Sequence, residues 1–306
     1  MTGRITDAML TAATLNDLNT SLGALERSSA ELSSGKTILE PSDNPYGASH
    51  AIDLQSQIDG LTSYTKSVQD GISWTQAASG AMSSIASAVQ RVRELMLQAA
   101  NGTNNAGDLA NIATEVKQLT ETIKQNANTQ FAGQYIFSGT ATSTPPWAQG
   151  EGAADAYKGN HESIARLYGP NATVVVNTDL STVLGSGPEA EDGKLLATLR
   201  TISQHLTEAT PESRSALGNA DLKALDSNFE GLSQLQSSIG SATNQLQTAI
   251  SRIEALQESI EKGLSSTIDT DVAKTTIEYA NQQAAYEAAL RAGANIVQES
   301  LLNFLH

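Results

Sequence analysis

The chain has 306 residues, of which 18 are basic and 33 acidic, for a formal net charge of −15. That charge repels nucleic acid and anionic membrane surfaces, so neither is an expected partner. With no cysteine, disulfides, thiolate metal sites, iron–sulfur clusters and cysteine nucleophiles are excluded, four histidines leave little room for a histidine-rich metal centre, and 4% aromatics is lean for a compact enzyme.

No apolar run approaches the roughly 20 residues of a membrane span. The first ten residues, Met1 to Leu10, hold no long apolar segment and no cleavage site, so no general secretory signal is expected. Proline divides the chain into zones. Pro41 and Pro45 come early, Pro145 to Pro211 fall in the middle, and the remainder has none. Because proline costs a helix interior about 3 kcal/mol, the stretches 46–144 and 212–306 are expected to be mostly helical.

Apolar spacing agrees. Ile5, Met9, Leu15, Leu18, Leu22, Leu25 and Leu32 fit a seven-residue repeat that stops at Ser33-Ser34-Gly35-Lys36, with Gly35 as C-cap. After the turn Pro41-Ser42-Asp43-Asn44-Pro45, a helix carries Leu54 to Leu95 and breaks at 101–105. A third holds Leu109 to Ile123. The longest stripe runs from Leu222 to Ile260, a polar break is expected at Ser265-Ser266-Thr267, and Thr270-Asp271 caps a last helix expected to bury Ile277, Ala280, Ala284, Leu290, Val297 and Leu301. Narrow stripes over many turns predict a mainly α, long antiparallel helical rod or coiled-coil bundle formed by both chain ends. The segment 138–193 reads as a small β-rich insert, with Glu162–Tyr168 and Ala172–Asn177 joined through Gly169-Pro170-Asn171. The division expected is 1–32 with 272–306 as a terminal assembly segment, 33–137 with 194–271 as a helical core, and 138–193 as the insert.

Little in the chain carries chemistry. His161-Glu162-Ser163-Ile164-Ala165 begins like a zinc-peptidase helix, but alanine stands where the second histidine belongs. Ser33 and Lys36 have the S-x-x-K spacing, at a helix end and without companion motifs. Asn101-Gly102-Thr103 and Asn171-Ala172-Thr173 match glycosylation acceptors and read more economically as turns. No phosphate loop, dinucleotide fingerprint or nucleophile elbow is present. No catalytic residue, metal or cofactor is expected.

Several segments in order resemble bacterial flagellins and their hook-associated relatives: Leu32-Ser33-Ser34-Gly35-Lys36, then Pro41-Ser42-Asp43-Asn44-Pro45-Tyr46-Gly47-Ala48-Ser49, Asp70-Gly71-Ile72-Ser73, Val89-Gln90-Arg91-Val92-Arg93-Glu94-Leu95, and Gln98-Ala99-Ala100-Asn101-Gly102-Thr103. The resemblance covers about the first 140 residues and the last 90. Three features are similar to the hook–filament junction branch: Gly133-Gln134-Tyr135-Ile136-Phe137-Ser138-Gly139 with Thr144-Pro145-Pro146-Trp147; Tyr157-Lys158-Gly159-Asn160 with Val174-Val175-Val176-Asn177; and Ser300-Leu301-Leu302-Asn303-Phe304-Leu305. The Arg91–Leu95 region is closer to the filament subunit.

The resemblance implies a structural, non-enzymatic flagellar protein, exported unfolded by the flagellar type III apparatus and resident outside the cell at the hook–filament junction. The implied partners are hook, adjacent junction protein and flagellin, further copies of itself in a ring, and an export chaperone on the C-terminal helix around Leu290, Val297, Leu301, Leu302 and Phe304. The N-terminal stripe Ile5, Met9, Leu15, Leu18, Leu22 and Leu25 would share in assembly. Arg91, Leu95 and Glu115 match the flagellin face read by an innate immune receptor, though a lateral contact with neighbouring subunits is the stronger reading of them. The rival classes are a filament subunit, a scaffold whose insert is catalytic, and a cytoplasmic coiled-coil adaptor.

Overall fold

In the computed structural model the described residues are 7–101, 104–149, 156–185 and 192–304, with side chains undescribed at the two extremes of the chain. Eight helices and four short strands are assigned among them, and long helices from both chain ends dominate. The residues cluster into two compact units, 1–60 with 256–306 and 61–255.

In the first unit α1 (Asp7–Ser34) packs along α8 (Val272–Phe304). Thr14 and Leu18 lie beside Gly293, while Ser28 hydrogen-bonds Gln282, so the two helices run antiparallel. The covered positions of α1 are Thr14, Leu18, Ser21, Leu25, Ser28 and Leu32, alternating steps of four and three. This is the expected coiled-coil spacing shifted by one residue on one side: Leu15 stays exposed, Leu22 is half-buried, and Thr14, Ser21 and Ser28 take the seam. On α8 the correction is larger. The covered residues are Thr275, Tyr279, Gln282, Tyr286, Ala289 and Gly293, and the expected stripe of Ile277, Ala280, Ala284 and Leu290 is exposed. Small and amphipathic residues let the two backbones approach, and apolar side chains are left on the outside.

The breaks have local causes. Helix α1 ends where Gly35 adopts φ +71°, the left-handed geometry a helix C-terminus favours in glycine. In the turn after it, the Asp43 carboxylate accepts from the backbone N–H groups of Glu40 (3.0 Å) and Leu39 (3.1 Å). Those bonds, with Arg27 at 3.2 Å, hold its pKa below the ordinary value. Asn44 Oδ1 accepts from Gly47 N–H at 2.9 Å, with Pro45 opening α2 (Pro45–Ala100). A Cβ on Gly47 would collide with Asn44 and Ile38, which explains glycine there. On the return strand α7 (Ala220–Ile268) continues through the expected polar break, since Ser266 and Thr267 each bond back to the Gly263 carbonyl at 2.8 Å. The helix stops instead at Asp269. There Lys36 and Asp269 form an isolated bridge, with Thr37 N–H donating to Ile268 O (2.8 Å) and Thr270 N–H to Gly35 O (2.9 Å). Asp271 then caps α8 as expected, accepting from Ala273 and Lys274.

The second unit is built on α2 and α7, which are antiparallel: Gly71 faces Leu246, Thr75 faces Thr243, and Arg93 pairs Asp226 at 2.8 Å. Leu225, Leu232, Ile239, Leu246 and Ile253 recur every seven residues on α7 and are buried; Val68, Thr75, Met82, Val89 and Met96 do the same on α2. The α2 stripe is wide between Ala78 and Ala99, because further elements pack on it. These include α3 (Ala106–Ala127), opened by an Asn105/Asp108 capping box, and α5 (Leu195–Glu208), which packs on α3. Helices α4 (Ser181–Leu184) and α6 (Pro211–Gly218) are connectors. Few as the rings are, Trp74, Phe137 and Trp147 are fully buried here.

Two small antiparallel sheets complete the unit. Strands β1 (Gln130–Phe131) and β2 (Gln134–Tyr135) form one. Strands β3 (Ala165–Gly169) and β4 (Ala172–Val175) form the expected hairpin, with Ala165 opposite Val175 and Asn171 at φ +59° in the turn. The hairpin sits on α2 at Asp70-Gly71: Arg166 bonds Asp70 at 2.7 Å and stacks 5.9 Å from the Trp74 ring. A Cβ on Gly71 would lie 3.2 Å from Arg166, Leu246 and Val176. Gly71→Val should therefore destabilise the protein by about 1–3 kcal/mol in urea denaturation. Gly60→Ala, with open space around the new Cβ, should stabilise by about 0.5–1 kcal/mol.

Candidate functional site

Three surfaces carry the expected site residues. The first is the outer side of the first unit. Met9 is 63% exposed, Leu15 58% and Leu290 44%, with Ile277 and Val272 also exposed. Leu18, Leu22 and Leu25 are half-buried. A shallow groove lined by Leu25, Glu26, Ser29, Ala30, Ser33 and Tyr279 runs between α1 and α8. Ile5 falls outside the described residues. Val297, Leu301, Leu302 and Phe304 belong to α8, but their side chains lie outside the description. Ser33 lies in the last turn of α1 and Lys36 two residues past its end, where the Lys36 backbone bridges Asp269.

The second surface is the Arg91 cluster. Arg91 Nε lies 2.9 Å from Glu115 and Nη1 3.0 Å from Glu94. Glu115 first, then Glu94, hold the guanidinium above its ordinary pKa. The partner expected four residues on is not part of this surface: Leu95 is 2% exposed and packs in the core, because the wide α2 stripe reaches round to it. What solvent meets is a polar triad.

The third is the collar at the exit from α3. Asn128 pins Trp147 from both sides, its Nδ2 donating to Trp147 O (2.7 Å) while its Oδ1 accepts from Trp147 N–H (3.0 Å). Trp147 packs 5.0 Å from the Tyr157 ring. The Tyr157 hydroxyl reaches the carbonyls of Phe137 (3.0 Å) and Asn160 (2.9 Å). Asn160 Oδ1 accepts from Thr140 N–H at 2.9 Å, and Gly139, at φ +64°, has no room for a Cβ beside Asn160. Residues far apart in sequence thus close into one knot. Only the motif resemblance pointed to it; periodicity is blind to such side-chain-to-backbone bonds.

Within the insert His161 Nδ1 lies 2.7 Å from Asp179 and 3.4 Å from Ser181 Oγ. A Ser-His-acid relay needs the serine and the acid on opposite ring nitrogens. Here both address Nδ1, and Ser181 is buried, so the arrangement is a hydrogen-bonded tie. No group of three or more metal-ligating side chains occurs among the described residues, and no helix among them is long and apolar enough to cross a membrane.

The bacterial flagellin N-terminal helical region matches residues 5–142, and the C-terminal helical region matches 222–305. Flagellin of Bacillus subtilis (strain 168) is 29% identical over 318 residues, covering 99% of both chains. Flagellin FlaB2 of Treponema pallidum (strain Nichols) is 26% identical over 97% of both. Among solved structures, one described as a flagellar hook-associated protein from Vibrio parahaemolyticus superimposes with a TM-score of 0.67 at 19% identity, covering 74% of this chain and 100% of that one. Flagellar hook associated protein-3 from Legionella pneumophila gives 0.60 at 16% identity, covering 70% and 97%. The chain belongs to the bacterial flagellin family. It is a flagellin-like structural protein of the flagellum.

Burial first, then the Asp179 charge, push the Tyr157 hydroxyl up from 10.0 to about 12. A raised folded-state pKa gives stability that is whole below pH 10 and lost as pH rises towards 12. Since the side chain is partly solvated, the loss should be on the order of 1 kcal/mol. Tyr157→Phe should remove that alkaline slope and, by deleting the hydroxyl bonds, cost about 1–2 kcal/mol at neutral pH, both read from urea midpoints against pH.

Proposed function

We propose that the protein forms the junction between hook and filament, assembling as a ring of copies between hook or an adjacent junction protein and flagellin. In this reading it reaches the cell exterior through the flagellar type III apparatus without a cleavable signal. The collar carries the reading. The residues that resemble the junction branch, Gly133–Gly139, Trp147 and Tyr157–Asn160, pack as one knot at the head of the helical core. The likeness in fold to hook-associated proteins supports it. A filament subunit is the second reading, favoured by flagellins that match along nearly the whole chain.

Deletion of the gene separates the two. Intact hooks without filaments, with flagellin lost to the medium, are expected of the junction role. Hooks without filaments and no flagellin in the medium would reject it and indicate the filament subunit.

Helices α1 and α8 are the proposed assembly segment, with Met9, Leu15 and Leu290 exposed and Leu18, Leu22 and Leu25 half-buried; Ile5, Val297, Leu301, Leu302 and Phe304 are assigned to it by sequence alone. The domain division obeys the same logic, with 1–32 and 272–306 as the assembling segment. Large apolar side chains exposed in the free chain are stabilised by burial against neighbours, at about 1.5–3 kcal/mol for each fully covered Leu or Met. Leu15→Asp and Leu290→Asp should each abolish motility in complementation. Because both side chains are exposed, each should shift the urea midpoint of the purified chain by less than about 0.5 kcal/mol. Before export the C-terminal stripe is proposed to rest in the groove of a helical chaperone. A chain ending at Gln283 should then fail to recover the partner that the full-length chain pulls down. The Arg91–Glu115 pair is proposed as a lateral subunit contact or receptor contact without Leu95, and Arg91→Glu should impair motility.

A further inference from the structure

The sequence holds four methionines. Met82 and Met96 are fully buried in the α2 stripe, whereas Met9, on α1, is 63% exposed, with Leu15 of the same helix 58% exposed. Met1 is outside the described residues. We propose that Met9 is an oxidative modification site, whose thioether is converted to the sulfoxide by hydrogen peroxide in the free subunit, and that the sulfoxide prevents association through α1.

The step balances. A sulfur lone pair attacks one peroxide oxygen, the O–O bond breaks as the S–O bond forms, and a proton passes between the two oxygens so that water leaves. Sulfur is oxidised by two electrons and the peroxide reduced by two. Selectivity comes from access. Peroxide reaches Met9 in the native chain, whereas Met82 and Met96 react only after the core opens, and core opening draws on most of the global stability. The consequence comes from polarity. A sulfoxide turns a flexible apolar side chain into a polar one with a strong acceptor. Covered by a neighbouring subunit without a donor, that oxygen weakens the contact. Once Met9 is covered in an assembly, the same neighbour shields the sulfur, so the free subunit is the vulnerable form. The second half of this inference rests on the proposed assembly surface; the first half does not.

The test uses the full-length protein. After graded exposure to hydrogen peroxide, tryptic peptide 5–27, which contains Met9 and excludes Met1, is compared by mass with the peptides holding Met82 and Met96. Met9 should gain one oxygen at least about tenfold faster. Equal rates overturn the site. Self-association is then monitored by sedimentation for untreated, oxidised and sulfoxide-reductase-treated protein, and for Met9→Leu before and after peroxide. Oxidation should weaken association by roughly tenfold. Reductase should restore it, and the association of Met9→Leu should be the same before and after exposure to peroxide. Undiminished association of the sulfoxide overturns the consequence. Loss with Leu15→Asp but not with the sulfoxide rejects this inference and leaves the assembly surface standing, whereas normal association of Leu15→Asp rejects the surface itself.

Discussion

The antiparallel pairing of α2 with α7 is the constraint on which the second unit depends. Each helix buries one residue in seven without interruption, Val68 to Met96 on one and Leu225 to Ile253 on the other. A seam of large aliphatic residues alone permits slippage by a heptad, since every repeat resembles the next. Here the repeat contains a polar step. Thr75 is fully buried and pairs Thr243 at 3.0 Å, while both hydroxyls also meet a carbonyl of their own helix, Ile72 O and Ile239 O. A slipped register would keep each hydroxyl on its own-helix carbonyl but lose the bond between the two helices, at a cost of about 0.5–1.5 kcal/mol. Gly71 against Leu246 and Arg93 against Asp226 agree with the same alignment.

The rest of the unit is arranged around that seam. Gly71 leaves space for the β3–β4 hairpin, and Arg166 is held between Asp70 and the Trp74 face. An isolated two-stranded hairpin is marginal in water; this one is stable because it borrows a helix as its third layer. The collar is secured differently, by the Asn128 amide imitating a strand partner for Trp147 and by one tyrosine hydroxyl bridging two carbonyls. A chain with few aromatic rings thus buries three of them, Trp74, Phe137 and Trp147, in this one unit.

Legibility in the sequence tracked the range of the interaction. Gly35, Pro45 with Asn44, Asp271 and the Gly169–Asn171 turn act within a few residues, and each fell where composition put it. The α2 and α7 repeats were equally plain, because burial on one side imposes its period on the chain. The α1–α8 contact was legible as a spacing but not as a face. Both helices carry two candidate stripes, and hydrophobicity selected the wrong one on α8, where Thr275, Gln282 and Gly293 make the contact and Ile277 does not. Leu95 failed for the opposite reason. Four residues from Arg91 it shares a general direction, yet the wide α2 stripe takes it into the core. The collar depends on pairings about twenty residues apart, Asn128 with Trp147 and Phe137 with Tyr157, which leave no periodic signal in a single sequence.

The bridge between Lys36 and Asp269 has a mechanical meaning. Both passages of the chain lose helical structure at the same level, and there the Thr37–Ile268 and Thr270–Gly35 main-chain bonds stitch them together. Two unlinked breaks would act as independent swivels, letting one terminal helix slide past the other. Stitched breaks act as a strap, in which one passage cannot twist or advance unless the other does so with it. A pull on α1 is therefore shared with α8 through backbone, whose bonds are indifferent to side-chain substitution.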